Sequence, residues 1–97
     1  MSKPIFKMFM ARQSEAGYQL SQEERDKLFE KHNELIEKLG IKSTIICDSS
    51  WASDQYSFWG VEEFPDMDAV MEFHAGLNAL NWFRYIDAVT LLGTRME

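Results

Sequence analysis

The feature that most constrains the fold is a short, almost entirely apolar run near the start of the chain. Residues 4–11 read Pro-Ile-Phe-Lys-Met-Phe-Met-Ala, and the polar residues Arg12, Gln13 and Ser14 follow them. Such a run is too short for a typical helix and lacks the alternation of a strand with one wet face. It predicts a strand buried on both faces, so other elements must cover each face.

A loop and then a helix are predicted after this strand. The segment from Arg12 to Leu20 is longer than most connections, so it is either a plain surface loop or a lid over a ligand. Ser21 and Glu24 have the spacing of a capping box, which starts a helix. Apolar residues then recur every three or four positions as far as Leu39, and Gly40 ends the helix.

The second half of the sequence predicts two strands, a helix and a closing strand. β-Branched and aromatic residues favour the two strands, and an aspartate before a helical apolar pattern favours the helix. Glycine and asparagine residues within that pattern predict a break in the helix. The predicted features are strands at Ile41 to Asp48, Tyr56 to Val61 and Thr90 to Met96, a strand end at Glu62 to Pro65, a helix entry at Asp66 or Asp68, and a break near Gly76 and Asn78 that leaves a shorter piece to Tyr85.

The order strand, helix, strand, strand, helix, strand indicates an α+β fold of the ferredoxin-like βαββαβ type, as one domain over residues 1–97. Right-handed crossovers place both helices on one face of a four-stranded antiparallel sheet. Its spatial strand order is 4-1-3-2, so the first and third strands are central. These two are the most apolar, as the topology requires, whereas Lys42, Ser43, Thr90, Thr94 and Arg95 mark the edge strands.

The sheet face away from the helices needs a cover. Alternation along the first strand sends Ile5 and Phe9 to one face and Phe6, Met8 and Met10 to the other. In the third strand, Trp59 and Val61 likewise oppose Tyr56 and Phe58. Each large side chain left in water forgoes about 1.5–3 kcal/mol of burial, and monomers rarely expose so large an apolar patch. The simplest cover is the sheet of a second copy, so we predict a homodimer.

The whole chain resembles the dimeric α/β-barrel superfamily of ferredoxin-like proteins, which includes stress-responsive barrel proteins, antibiotic-biosynthesis monooxygenases and YCII-related proteins. The resemblance rests on the element order and on the segments KHNELIEKLG (Lys31 to Gly40), YSFWGVEEF (Tyr56 to Phe64), PDMDAVMEF and TLLGT. It implies that two four-stranded sheets pack face to face across a two-fold axis. It also implies a pocket in each protomer between the sheet and the helices.

Charge and composition exclude several kinds of partner. Ten basic residues against sixteen acidic ones give a net charge of −6, and the basic residues are scattered, so we expect no nucleic-acid partner. No apolar segment approaches the roughly 18 residues of a membrane span, so we expect no membrane partner. Cys47 is the only cysteine and the N-terminus lacks the apolar run of a signal peptide, which predicts a cytoplasmic protein.

Two histidines and one aspartate are the candidate catalytic residues. The setting of His32 resembles the helix of YCII-related proteins, in which a His–Asp couple is the proposed catalytic pair, and this resemblance makes Asp48 its candidate partner. The alternative for His32 is a hydrogen-bonded structural histidine. His74, on the inner face of the second helix, is a candidate pocket residue. Neither histidine has the companions of a metal site, and we predict no metal and no cofactor, haem included.

The aromatic residues concentrate in the second half, where nine of the thirteen lie between Trp51 and Tyr85. In cofactor-independent monooxygenases of the resembled superfamily, Trp, Tyr and Asn side chains hold a flat polyphenolic substrate, and residues of the same types are candidates here. The alternative is that they fill the core or the dimer interface. Trp51 stands in a serine-rich loop and is predicted to pack on the partner or at the pocket mouth. The candidate ligand-binding residues are Trp51, Tyr56, Trp59, Asn81, Trp82 and Tyr85.

No motif identifies a reaction, and three functions stay open. The first is a homodimeric barrel protein that binds a small apolar or aromatic molecule between its sheet and helices. The second is a cofactor-independent monooxygenase or isomerase, acting on an aromatic or polyketide-like substrate with His32 or His74 as the base. The third is a structural or regulatory dimer without a ligand. A cavity with a polar group reaching into it distinguishes the first two from the third.

Overall fold

The computed structural model describes residues 3–53 and 55–96, which form a four-stranded antiparallel sheet with helices on one face. The strand order β2-β3-β1-β4 confirms the predicted order and the ferredoxin-like α+β class. The strands are β1 (Ile5–Gln13), β2 (Lys42–Asp48), β3 (Phe58–Phe64) and β4 (Ile86–Gly93); the helices are α1 (Glu15–Tyr18), α2 (Gln22–Lys38), α3 (Met67–Ala79) and α4 (Trp82–Tyr85).

The start and the end of α2 follow the predicted local chemistry. The Ser21 hydroxyl accepts the backbone N–H of Glu24 at 3.1 Å, and the Glu24 carboxylate accepts the backbone N–H of Ser21 at 3.0 Å. Two backbone donors that a helix leaves unpaired at its start are thereby satisfied. Gly40 adopts a φ of 69° just past the helix, a left-handed conformation that favours glycine. Both predicted signals are confirmed.

The segment predicted as a loop from Arg12 to Leu20 is partly regular. Strand β1 continues to Gln13, and Ser14 then caps the one-turn helix α1 by accepting the N–H of Gly17. Ser14 also donates its N–H to the carbonyl of Tyr85 at 2.9 Å and its hydroxyl to the carbonyl of Arg84 at 2.6 Å. These bonds fix the segment to α4.

The predicted bounds of the third strand, Tyr56 to Val61, are wrong at both ends. The strand begins at Phe58, two residues later than predicted, and continues to Phe64. Glu62 faces the helices and stands opposite Lys7 in the register of β1 and β3, so a buried charged partner keeps this glutamate inside the sheet.

The predicted start of the last strand, at Thr90, is four residues too late. Strand β4 starts at Ile86 because β1 extends far enough for Gln13 to stand opposite Ile86. The pairing with a longer central strand sets this boundary.

Helix α3 starts as predicted but breaks later. The Asp66 carboxylate accepts the N–H of Ala69 at 2.8 Å, which caps the helix. The helix runs through Gly76 and ends at Ala79, and the chain turns at Asn81, whose φ is 57°. A Cβ atom on Gly76 would lie 2.8 Å from the Leu35 side chain, so this glycine allows α2 and α3 to approach closely rather than breaking the helix.

The sheet has two different faces. The face under the helices joins the core, whose buried apolar members include Phe64, Phe73 and Leu77. The opposite face, called the outer face below, carries large apolar side chains without a cover in the single chain: Met8, Ile45, Trp59, Val89 and Leu91. In the described residues, 3–53 and 55–96, no helix is long and apolar enough to cross a membrane.

Candidate functional site

A cavity of about 510 Å³ lies between the helices and the sheet. Its size is within the range of roughly 300–1,000 Å³ that holds small-molecule ligands. All four strands and the helices α2, α3 and α4 contribute to its wall. The lining residues are Lys7, Phe9, Ala11, Gln13, Phe29, His32, Asn33, Ile46, Cys47, Asp48, Ser57, Phe58, Glu62, Phe73, Leu77, Trp82, Phe83, Ile86, Ala88 and Thr90.

Two charged side chains face this cavity from the centre of the sheet. Lys7 and Glu62 are 5% and 3% exposed, and the Lys7 Nζ atom lies 3.8 Å from Glu62 Oε1. Burial lowers the pKa of Lys7, although the charge of Glu62 opposes this shift. Burial likewise raises the pKa of Glu62, against the charge of Lys7. Since each charge is largely out of water, each depends on the other for its compensation.

Aromatic rings form much of the wall beside this pair. The ring of His32 stacks on Trp82 with centroids 4.4 Å apart and meets the edge of Phe73 at 5.5 Å. Phe29 meets Trp82 edge to face at 5.3 Å, and the Lys7 ammonium lies 5.1 Å from the Phe73 ring centroid. These contacts fix the rings next to the charged pair.

His32 is held in its neutral form near neutral pH. Burial lowers the pKa of its imidazole, and the charge of Lys7 lowers it further, while a contact of 3.3 Å between Nδ1 and the side-chain oxygen of Asn33 opposes the shift. A neutral imidazole in a cavity wall can accept a hydrogen bond or a proton.

Three of the candidate site residues from the sequence line the cavity: His32, Asp48 and Trp82. The Asp48 carboxylate accepts the backbone N–H of Ser50 at 2.9 Å and its hydroxyl at 2.6 Å, and these bonds lower the pKa of Asp48. The structure thus gives Asp48 and His32 separate polar partners. It places both residues at the same cavity.

The remaining candidates lie away from the cavity lining. His74 stacks on Phe83 with centroids 6.0 Å apart, and burial lowers its pKa. Tyr56 belongs to a separate polar groove beside Arg12, and Trp59 lies on the outer face of the sheet. Tyr85 packs against the core, and Asn81 forms the turn between α3 and α4.

Trp51 also lies outside the cavity lining. Its side chain is 83% exposed in the single chain, and its indole N–H donates to the carbonyl of Asp48 at 3.0 Å. The contact of Trp51 with a partner stays a prediction.

Sequence reasoning missed the charged pair and Phe73. Lys7 is the only charged residue in the apolar run of residues 4–11. A single charge in such a run is the sequence feature that indicates an inward-facing side chain. Glu62 shares a period of two with Phe58 and Phe64 and therefore shares their face. The alternation of side chains along β1 and along β3, considered together, would have placed both charges under the helices.

Among the described residues, no three His, Cys, Asp or Glu side chains come together as ligands.

Comparison with known protein families assigns the chain to a family. Residues 8–97 match the family described as a family of unknown function, DUF6616. The chain belongs to the DUF6616 family. A comparison of this DUF6616 chain with curated proteins gives no match.

Solved structures resemble this DUF6616 chain over nearly all of its length. The RPA0582 protein from Rhodopseudomonas palustris has a TM-score of 0.71 and 14% identity, covering 100% of this chain and 85% of that one. A dabb family protein with a ferredoxin-like fold from Mesorhizobium loti has a TM-score of 0.66 and 12% identity, with 99% and 100% covered. A dimeric ferredoxin-like protein from Thermobifida fusca has a TM-score of 0.61 and 13% identity, with 98% and 93% covered. These likenesses confirm the ferredoxin-like fold.

Proposed function

We propose that this chain is a cytoplasmic homodimer that binds a small apolar or aromatic molecule in the cavity between its sheet and helices. The observation that carries the proposal is the cavity itself, about 510 Å³ in volume, with an aromatic wall and a buried charged pair. A cavity retained beside fixed polar groups is typical of a ligand site.

The experiment that tests binding uses the tryptophan side chains as reporters. Of the three tryptophans, Trp82 lines the cavity, whereas Trp51 is exposed and Trp59 lies on the outer face. The probe is 2-naphthol, a flat two-ring molecule, added to the ¹⁵N-labelled protein. We expect the indole N–H signal of Trp82 to shift in a saturable way while that of Trp51 stays in place. The variant Trp82→Phe assigns the signal.

A pair of matched variants localises the binding. Ala88→Phe adds a ring inside the cavity, and Ala75→Phe adds the same ring on an exposed position of α3 outside the lining. We expect the first variant to weaken 2-naphthol binding at least about tenfold by filling space, and the second to leave it unchanged. Equal affinity in both variants, or a response of Trp51 alone, would contradict the proposed site.

The homodimer is supported by the uncovered outer face. Met8, Ile45, Trp59, Val89 and Leu91 form a continuous set across the four strands, because Met8 lies between Val61 and Leu91 in the register and Ile45 stands opposite Val61. An apolar surface of this kind marks an interface. The Thermobifida fusca neighbour, described as dimeric, shares the fold. A second copy, joined sheet to sheet, would leave both cavities on the helix side.

A further inference from the structure

The charged pair in the cavity wall has a spacing that direct hydrogen bonding does not explain. The 3.8 Å between Lys7 Nζ and Glu62 Oε1 exceeds the roughly 2.7–3.2 Å of an N–H···O hydrogen bond. One oxygen atom can lie about 2.8 Å from both of these atoms at once, since the three distances form a possible triangle. Both residues line the cavity, so a ligand atom can reach this position.

The charges at this position restrict what that oxygen can belong to. Lys7 and Glu62 sum to zero whichever of them holds the proton, and the neighbouring imidazole of His32 is neutral because burial lowers its pKa. Because the pair has no net charge in either form, a carboxylate or an ammonium group would bring an unbalanced charge into a buried site. A hydroxyl group fits both, because one oxygen donates to Glu62 and accepts from Lys7.

The walls restrict the rest of the ligand. The rings of Phe73, His32 and Trp82 stand beside the charged pair, and the stack of His32 on Trp82 is nearly parallel, with 20° between the planes. Flat apolar surfaces of this kind favour an aromatic ring in offset or edge contact. A ring placed there would carry its hydroxyl toward Lys7 and Glu62.

We propose that the ligand of this cavity is a neutral hydroxylated aromatic molecule whose hydroxyl bridges Lys7 Nζ and the Glu62 carboxylate. This inference rests on the proposed function and adds the ligand class and the residues that set it. The pair selects for the hydroxyl and against charged ligands of the same shape. Specificity therefore arises from a buried pair with no net charge rather than from a single cationic or anionic group.

Four probes of one shape test the class in the unmodified protein. Calorimetric titration at about pH 7 compares 2-naphthol, naphthalene, 2-naphthoate and 2-naphthylmethylammonium. We expect 2-naphthol to bind at least about tenfold more tightly than naphthalene, as a hydrogen bond to a charged group provides. We expect the two charged probes to bind more weakly than naphthalene.

A double variant tests the residues. Lys7→Met with Glu62→Met replaces the pair by apolar side chains of similar length, a change that buried ion pairs often tolerate. We expect the preference for 2-naphthol over naphthalene to disappear while naphthalene still binds. The control is Lys31→Met with Glu34→Met, the same change at an exposed pair on α2 separated by 3.6 Å, which should keep the preference.

The possible outcomes distinguish a failure of this inference from a failure of the proposed binding function. Tightest binding of either charged probe, or equal binding of 2-naphthol and naphthalene, overturns the inference and leaves the cavity a binding site. Binding of none of the four probes overturns both. The unmodified protein decides the ligand class even if the double variant does not fold. A folded double variant that keeps the preference overturns the assignment to Lys7 and Glu62.

Discussion

Burial makes the charge of His32 depend on the folded state. Its pKa in the folded protein is lowered from 6.5, chiefly because the imidazole is removed from water between Trp82 and Phe73. In the unfolded chain the same ring is hydrated and titrates near its ordinary value. When the pH falls below 6.5, the unfolded state therefore takes up this proton before the folded state does, and the free energy of unfolding decreases.

The variant His32→Phe should therefore be less sensitive to acid than the unmodified protein. A phenylalanine keeps an aromatic ring against Trp82 and removes the titration. We expect the free energy of unfolding, measured with urea at about pH 7.5 and about pH 5.5, to fall less between these conditions in the variant. The stability that His32 contributes is complete above 6.5 and is lost as the pH falls from there toward the lowered pKa.

Two other groups with shifted pKa values, His74 and Glu62, also affect how stability changes with pH. Burial also lowers the pKa of His74, so His74→Phe should reduce the acid sensitivity as well, in the same direction. The raised pKa of Glu62 acts with the opposite sign, because the folded state then takes up the proton first as the pH falls. Since Glu62 is present in all three proteins, its contribution is common to them. An unchanged or greater acid sensitivity in His32→Phe would contradict the buried neutral imidazole.

The sequence revealed His32 more readily than it revealed Lys7 and Glu62. A histidine within a helical apolar stripe can be placed on the inner face from its spacing alone. The charged pair needs the register between β1 and β3, a long-range property that sets Lys7 opposite Glu62. Burial of a charge depends on its partner, and no local pattern supplies that partner.

At the scale of elements, the turn between α3 and α4 determines where Trp82 lies. Asn81 has a φ of 57° and immediately precedes Trp82, which is buried against His32 and Phe29. Asparagine tolerates the left-handed region, whereas a β-branched residue does so only with strain. The sequence predicted a break near Gly76 and Asn78 because glycine is a common helix breaker, but Gly76 instead makes room for Leu35.

Substitutions at Asn81 test whether its left-handed backbone conformation, rather than the helix propensity of the residue, sets the stability of this turn. We expect Asn81→Ile to lower the free energy of unfolding by about 1–2 kcal/mol, the usual cost of a left-handed residue with a Cβ branch, and Asn81→Gly to cause no loss. Urea denaturation measures both. The control is Asn78→Ile, an exposed helical position near the end of α3, where only a few tenths of a kcal/mol are expected. Equal losses at positions 78 and 81 would refute a role for the turn.

At the scale of the whole molecule, the order of elements and the apolarity of the central strands were enough to predict the topology. Both properties follow from alternation and spacing along the chain, which the sequence displays directly. The resemblance implied a pocket between sheet and helices, but alternation and spacing could not define this cavity, because it is the space that Phe73, Trp82 and the sheet leave unfilled. A volume of this kind depends on where complete elements pack against one another. The packing of complete elements likewise explains why Trp82, on α4, lines the cavity and Trp59, on the outer face of the sheet, does not.

The apolar outer face of the sheet leads to a prediction about the oligomeric state. Leu91 on β4 and Met71 on α3 are exposed to almost the same extent in the single chain, 65% and 64%, but only Leu91 lies on the outer face of the sheet. In a symmetric sheet-to-sheet dimer a substitution at Leu91 acts twice, and each large apolar side chain withheld from burial costs about 1.5–3 kcal/mol. We expect Leu91→Lys to shift the protein from dimer to monomer and Met71→Lys to leave the dimer intact.

Sedimentation velocity over a range of micromolar concentrations measures this shift. Binding of 2-naphthol by the monomeric variant then tests whether the cavity depends on the dimer. Because the cavity lies on the helix side of the sheet and the proposed interface on the other, the Leu91→Lys monomer should still bind the probe if it remains folded. A monomeric unmodified protein at these concentrations would contradict the dimer. Dissociation caused by Met71→Lys and not by Leu91→Lys would instead place the interface on the helices, where it would cover α3 rather than the apolar face of the sheet.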